Sequence, residues 1–212
     1  MAKLLRVVYL HGFASSPRSR KALFFADKLA ALGFSVEIPD LAQGDFLHLT
    51  ISNQLQVVER AARGEPLLLI GSSMGGYLAA LYAARHPEVD RLILLAPAFR
   101  FHELWTKEFG PERLRLWKEK GSIPIFHYGE QGNLLLGYQL MEDAAHFEAF
   151  PDFSQSCLLF HGSEDPLLPV SQSAAFAAAH PNVRFIELLS GHELTDVLDD
   201  MWDACRKFLV NF

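Results

Sequence analysis

Short apolar runs alternate with amphipathic segments along most of this chain. The runs at 5–10, 35–39, 67–70, 91–96, 157–160 and 183–189 read as strands. Most are continuous Val, Ile, Leu or Phe rather than strict apolar–polar alternations. Strands covered on both faces of a parallel sheet have that pattern. Helical periodicity fills 19–32, 49–63, 74–86, 171–180 and 194–209. Repetition of strand, helix and strand predicts an α/β fold with a doubly wound, mainly parallel sheet of about six strands. Gly33 follows the first helical segment, as a C-terminal cap does. Pro87 and Pro181 each follow a histidine at a predicted helix end, consistent with the restriction on residues before proline.

The rhythm breaks at 98–155, where no clean βα unit appears. This stretch holds Trp105, Trp117 and the Gly-rich piece Tyr128-Gly129-Glu130-Gln131-Gly132-Asn133. That piece predicts a hairpin turn between 123–127 and 134–138, and 112–120 predicts a short charged helix. A segment this long without its own βα unit is usually functional. We expect one domain over 1–212, with 98–155 as a cap-like insertion at the sheet's working edge.

The chemistry concentrates in Ile70-Gly71-Ser72-Ser73-Met74-Gly75-Gly76. Gly71, Ser73 and Gly75 form Gly-x-Ser-x-Gly. A sharp strand-to-helix turn presents such a serine, and the glycines let backbones crowd it. By composition alone, roughly one chain in fifteen of this length contains the pattern. Its position after a buried strand and before a small-residue helix gives it weight. Ser72 lacks the flanking glycines, so Ser73 is the candidate nucleophile.

A serine needs a base, and in this type of fold the chain order is serine, acid, histidine. His192, in Ser190-Gly191-His192-Glu193, follows the last strand and is the candidate base. Of the other histidines, His86 and His180 read as structural and His161 as packing or capping after its strand. His48, His102, His127 and His146 read as surface or cap. Asp165, in His161-Gly162-Ser163-Glu164-Asp165-Pro166, is the candidate acid. Glu164 competes with it, but Pro166 stiffens the turn directly after Asp165. Asp196, Asp199 and Asp200 come after the histidine and read as a solvated helix face. Acyl transfer also needs N–H donors for an oxyanion. Met74 follows the nucleophile, and Phe13 lies in the loop after the first strand, where Gly12 permits a sharp turn.

Composition narrows the partners. The chain has 212 residues, half of them hydrophobic, and a net charge of −6. Clustered excess Lys and Arg would mark a nucleic-acid groove, so a small acyl substrate is expected and no nucleic acid. The two cysteines, Cys157 and Cys205, sit in apolar contexts and read as buried inert thiols. No CxxC or Cys/His metal spacing occurs, so no metal is expected. No apolar run reaches the ~20 residues of a membrane helix. The segment Met1-Ala2-Lys3-Leu4-Leu5 enters a strand without a signal region, and a cytoplasmic setting is expected.

The order of these segments resembles the α/β-hydrolase superfamily over nearly the whole chain. More narrowly, Tyr9-Leu10-His11-Gly12-Phe13-Ala14-Ser15-Ser16-Pro17-Arg18-Ser19 is similar to the opening of small bacterial esterases of the YqiA/YcfP type. Gly71-Ser72-Ser73-Met74-Gly75-Gly76-Tyr77, Pro97-Ala98 and Gly191-His192 are similar to that group as well. The resemblance implies a compact sheet lacking the superfamily's first two strands, and esterase or acyl-thioesterase activity without a cofactor. The insertion resembles that group only at its start.

The reading is therefore a carboxylic-ester hydrolase. Ser73 attacks, His192 is the base, Asp165 orients it, and the Phe13 and Met74 N–H groups hold the oxyanion. Phe99, Phe101, Trp105 and Tyr138 are candidates for an apolar acyl pocket, with packing inside the cap as their plainer role. The alternatives are an acyl-thioesterase, a small peptidase or amidase, and a non-catalytic binding protein on the same fold.

Overall fold

Neighbouring residues along the central strands face two different sets of helices. A computed structural model describes residues 6–209, so Leu5 and the residues before it lie outside the described part. The main sheet takes β1 (Arg6–Leu10), β2 (Ser35–Glu37), β3 (Leu67–Ser72) and β4 (Val89–Leu95) from the first half of the chain. The insertion contributes a separate hairpin, β5 (Ser122–His127) with β6 (Gly132–Gly137). The main sheet resumes with β7 (Ser156–Gly162) and β8 (Val183–Leu188). Strand order is β2-β1-β3-β4-β7-β8, and every neighbouring pair is parallel.

Two apolar layers sandwich this sheet. Val7, Tyr9, Leu68, Ile70, Ile93, Leu95 and Phe160 pack on α1 (Arg20–Ala31) and α7 (Leu198–Leu209). Val8, Leu10, Leu67, Leu69, Leu92, Leu94 and Leu159 belong to the opposite layer. That layer includes α2 (Ile51–Ala62), α3 (Met74–Ala83) and α6 (Val170–Ala179). Because side chains alternate faces, each inner strand must be apolar at consecutive positions to fill both layers. The sheet is doubly wound and mainly parallel, as the sequence pattern predicts.

Local chemistry sets several boundaries. Ser19 caps α1 by accepting from the Ala22 N–H at 3.4 Å. At its other end Gly33 has φ 87° and donates to Ala30 O, while Phe34 donates to Leu29 O. These two bonds close the helix in a left-handed cap. Helix α3 ends three residues short of the predicted boundary, in two tight turns ending at His86, because Pro87 follows. Helix α7 starts at Leu198, not 194. Leu194 has φ 52°, and the Ser190 hydroxyl donates to the Asp196 carboxylate, so 190–197 forms a loop.

The insertion is built from α4 (Phe101–Lys120), the β5–β6 hairpin and α5 (Gln139–Ala144). The predicted helix at 112–120 is the second half of α4, which breaks at Gly110 (φ 67°, ψ 166°) before Pro111. Trp117 is fully buried and donates to Leu136 O at 3.0 Å, tying α4 to the hairpin. Trp105, Phe109 and Tyr138 surround it. Asp143 of α5 accepts from the Ser52 N–H and hydroxyl, at 2.8 and 2.6 Å, and so satisfies the start of α2. The hairpin turn reaches the loop after β1, where the Tyr128 N–H donates to Ala14 O at 2.7 Å.

Strand β3 and helix α3 cross the end of β1 without room for side chains. A Cβ on Gly75 would lie 2.2 Å from Leu10 O, and one on Gly71 would lie 2.3 Å from Gly75 O. Both obstacles are backbone, which cannot rotate away. Gly75→Ala is expected to cost about 3 kcal/mol or more, or to prevent folding, as overpacking against a fixed neighbour does. Urea denaturation of the variant measures it, and a wild-type midpoint would refute the tight crossing.

Candidate active site

Ser73 occupies the turn between β3 and α3 with φ 53° and ψ −116°. A non-glycine residue in this region is strained by roughly 1–3 kcal/mol and persists only where its surroundings hold it. Three main-chain bonds hold it. Its N–H donates to Leu95 O at 2.9 Å, and its carbonyl accepts from Tyr77 and Ala98 N–H at 3.1 and 3.0 Å. Ser73 precedes the first turn of α3, yet its side chain makes no capping bond. The hydroxyl is turned instead toward His192.

Three side chains from three loops at one sheet edge meet there. The Ser73 Oγ lies 3.0 Å from His192 Nε2, and His192 Nδ1 lies 2.7 Å from Asp165 Oδ2. With an ionised carboxylate that can only accept, Nδ1–H donates to Asp165 and Nε2 is left to accept from the serine hydroxyl. The His192 side chain is 12% exposed and that of Asp165 fully buried. Gly162 lets the acid and histidine loops approach, since a Cβ there would lie 2.3 Å from Ser190 O.

A buried carboxylate needs partners for both oxygens. The Leu167 and Leu168 N–H groups each donate to Asp165 Oδ1 at 2.9 Å. Oδ2 takes His192 and also lies 3.1 Å from His161 Nε2. Burial pushes the carboxyl's proton affinity up, but hydrogen bonds from His161, His192 and Leu168 outweigh it. The group is held well below the usual carboxylate range. Glu164 is exposed, and its N–H donates to Ser190 O. Asp196 is taken by Ser190, and Asp199 and Asp200 are exposed on α7.

The loop after β1 passes beside the serine. A Cβ on Gly12 would lie 3.6 Å from Ser73 Cβ. Buried His11 fixes this loop: its Nδ1 lies 2.9 Å from Gly12 O, and its Nε2 accepts from the Leu41 N–H at 3.2 Å. Burial lowers the proton affinity of His11, which keeps one ring nitrogen free to accept. Among the described residues neither the Phe13 nor the Met74 N–H has a protein acceptor. Phe13 packs against Phe46 and edge-on to Trp105, with centroids 5.5 and 4.9 Å away.

The pocket candidates divide. Phe99 and Phe101 are 1% and 2% exposed; Phe99 packs on Phe150 and Phe176, and Phe101 on Trp105. Tyr138 stands edge-on to Trp117. Trp105 stands against Phe13. Among the other histidines, His86 stacks on Tyr82 and His180 donates to Phe176 O. His48 is exposed beside Asp45, and His127 is buried against Phe46. Sequence reading missed the contact of His161 with the carboxylate. Its spacing of four residues from Asp165, across a glycine, was the available signal. Cys157 and Cys205 are buried free thiols whose ionisation burial opposes. Among the described residues no group of three or more His, Cys, Asp or Glu is placed to hold a metal. Nor is any helix there long and apolar enough to cross a membrane.

This sheet with its strand-to-helix serine turn has the α/β-hydrolase fold, which solved structures of that fold share. The chain belongs to the Uncharacterised protein family UPF0227, whose model matches residues 6–209. It is 24% identical to the mitochondrial palmitoyl-protein thioesterase ABHD10 of Rattus norvegicus, over 93% of this chain and 75% of that protein. Mouse alpha/beta hydrolase domain-containing protein 10 superposes with a TM-score of 0.79 at 21% identity, over 98% of this chain and 92% of that one. Est1E from Butyrivibrio proteoclasticus, solved with ferulic acid bound, gives a TM-score of 0.84 at 19% identity, over 99% and 89%.

The hydrogen bonds that hold the Asp165 carboxyl below its ordinary range also tie its ionisation to stability. A carboxyl held below its unfolded value contributes stability that is present above that value and is lost as pH falls toward its folded value. The stability gap between wild type and Asp165→Asn is therefore expected to be widest near neutrality and to close as pH falls below about 4. Urea midpoints measured against pH test this, and a constant gap would contradict it.

Proposed function

We propose that this chain is a serine hydrolase of carboxylic esters, working through an acyl-enzyme. The observation that carries the reading is the Asp165–His192–Ser73 chain of 2.7 and 3.0 Å contacts. Ser73 Oγ attacks the acyl carbonyl as His192 Nε2 takes its proton. Asp165 fixes the tautomer and stabilises the imidazolium. The Phe13 and Met74 N–H groups receive the oxyanion, the latter opening α3, where negative charge is favoured. His192 returns the proton to the leaving alcohol, and then activates a water that cleaves the acyl-serine. The insertion at 98–155 serves as a cap within a single domain. Trp105 forms one wall of an apolar acyl site beside Phe13, while Phe99, Phe101 and Tyr138 shape it from behind. No cofactor enters this scheme.

Thioester cleavage is the second reading. It is supported by the likeness to a palmitoyl-protein thioesterase and uses the same residues and steps, with a thiol leaving.

Hydrolysis of p-nitrophenyl esters from acetate to palmitate, beside acyl thioesters of the same chains, tests both. Ser73→Ala is expected to lower kcat by about 10⁴-fold or more. Full activity in a folded Ser73→Ala protein would sink the assignment, and thioester rates far above ester rates would select the second reading. Trp105→Ala is expected to raise KM for the longer acyl chains by about tenfold, the worth of 1–2 kcal/mol of apolar contact. An equal loss on acetate and palmitate would remove Trp105 from the acyl site.

A further inference from the structure

His161 is 1% exposed, at the end of β7 and four residues before Asp165. A buried imidazole beside a buried carboxylate asks for an account of each nitrogen. Nε2 lies 3.0 Å from Leu168 O and 3.1 Å from Asp165 Oδ2. A carbonyl and a carboxylate both only accept, so Nε2 carries the proton and points it chiefly at Leu168, with Oδ2 alongside. Nδ1 lies 2.7 Å from Ser173 Oγ on α6, and in the neutral ring it accepts from that hydroxyl.

These contacts close a circuit around the carboxylate. His161 holds Leu168 by its carbonyl, and Leu168 holds Asp165 Oδ1 by its N–H. Oδ1 thus has two N–H donors, while Oδ2 stands between two imidazoles, His192 at 2.7 Å and His161 at 3.1 Å. A carboxylate with two partners on each oxygen cannot swing about its Cβ–Cγ bond without breaking several contacts. Withdrawal of charge by His161 also leaves Oδ2 a weaker base, which keeps the shared proton on His192 Nδ1.

We propose that His161 is a positioning residue for this hydrolase, locking the Asp165 carboxylate in the orientation that aims His192 at Ser73, with Ser173 fixing the tautomer of His161. The proposal rests on the reading of Ser73, His192 and Asp165 as a triad. A role confined to fastening β7 to α6 would affect stability alone.

The test compares wild type, His161→Phe, His161→Gln, Ser173→Ala and Ser73→Ala on the best ester or thioester. In parallel, proton NMR follows the His192 Nδ1 proton, identified by its disappearance in His192→Gln. His161→Phe is expected to lower kcat by about 10–100-fold, the usual effect of losing a partner that orients a functional ligand, with KM within about twofold. His161→Gln retains an N–H for Leu168 and Asp165 and is expected to recover most of kcat. Ser173→Ala, which keeps the ring, should lie between wild type and His161→Phe, and serves if the Phe variant does not fold. Loss of the His161 N–H makes Oδ2 a stronger acceptor, so the His192 Nδ1 resonance should move downfield. Wild-type kcat in folded His161→Phe, no recovery in folded His161→Gln, or an unmoved resonance would overturn the proposal. Failure of the triad reading looks different: Ser73→Ala would stay active, or wild type would turn nothing over. The resonance decides the role of His161 in either case.

Discussion

Backbone atoms of β1, β3 and α3 meet behind Ser73 at distances that exclude any side chain. The contacts that Cβ atoms on Gly71 and Gly75 would make, 2.3 and 2.2 Å, define how closely the helix lies on the strands. This crossing forces the abrupt turn at Ser73 and its φ of 53°. It also turns the hydroxyl out of the capping position that a serine before a helix ordinarily takes. A looser crossing would relax the turn, and the hydroxyl would return to the helix end. The strain is held by buried apolar strands on either side, since the β3 side chains are buried along its full length.

A second constraint is electrostatic. Asp165 is a carboxylate with no exposed side-chain surface, and an ion in that position is costly unless it is hydrogen-bonded on every side. The chain meets this with donors close in sequence and others distant from it: Leu167 and Leu168 from the same turn, His161 from β7, and His192 from the loop after β8. The satisfaction of the carboxylate and the proposed orientation of the base are therefore one arrangement. The opposite side of Ser73 is arranged separately. There His11 ties the loop after β1 to Leu41, and the hairpin of the insertion holds Ala14 through Tyr128. Phe13 sits between Phe46 and Trp105, so the segment at 98–155 reaches the loop proposed to bind the oxyanion as well as the proposed acyl site.

The main sheet was legible because burial on both faces leaves a plain mark. Runs such as Leu67-Leu68-Leu69-Ile70 have few other stable placements in a chain of this size, and all six expected strands are present in the sheet. Ser73 was legible from its glycines, because close approach restricts residue type so sharply. Asp165 and His192 were legible from their order after successive strands, and the structure brings both to Ser73. Helix ends were less legible. The start of α7 depends on a side-chain bond between Ser190 and Asp196 and a left-handed Leu194, and neither leaves a pattern in hydrophobic periodicity. The long first half of α4 was hidden because its aromatic residues divide between one another and Phe13, and the helix breaks at Gly110, so no amphipathic stripe of the usual kind appears. His161 was read as packing or capping after its strand. Its burial fits that reading, but its contact with Asp165 is set by the fold of the turn at 165–168.

These constraints differ in how far they tolerate sequence change. At 19% identity the backbone still superposes with a TM-score of 0.84, and a core of this kind tolerates exchange of one apolar residue for another of similar volume. Backbone contacts at Gly71, Gly75 and Gly162 allow no such exchange, because each added Cβ would meet a carbonyl oxygen closer than 2.6 Å. The residues proposed to shape the acyl site lie under a different rule. Trp105 and Tyr138 belong to an insertion that joins the main core through Leu136, Leu140 and Met141 and bonds to neighbouring loops and α2 through Tyr128 to Ala14, Gly137 to Leu47 and Ser52 to Asp143. Both pack against Trp117, and Trp105 also meets Phe101 and Phe13. Such a unit can change its partly exposed surface while keeping those attachments and its buried residues. On this fold the turn that carries Ser73 is thus set by positions where backbone contacts exclude a side chain, and the proposed choice of acyl group by side chains under no such limit.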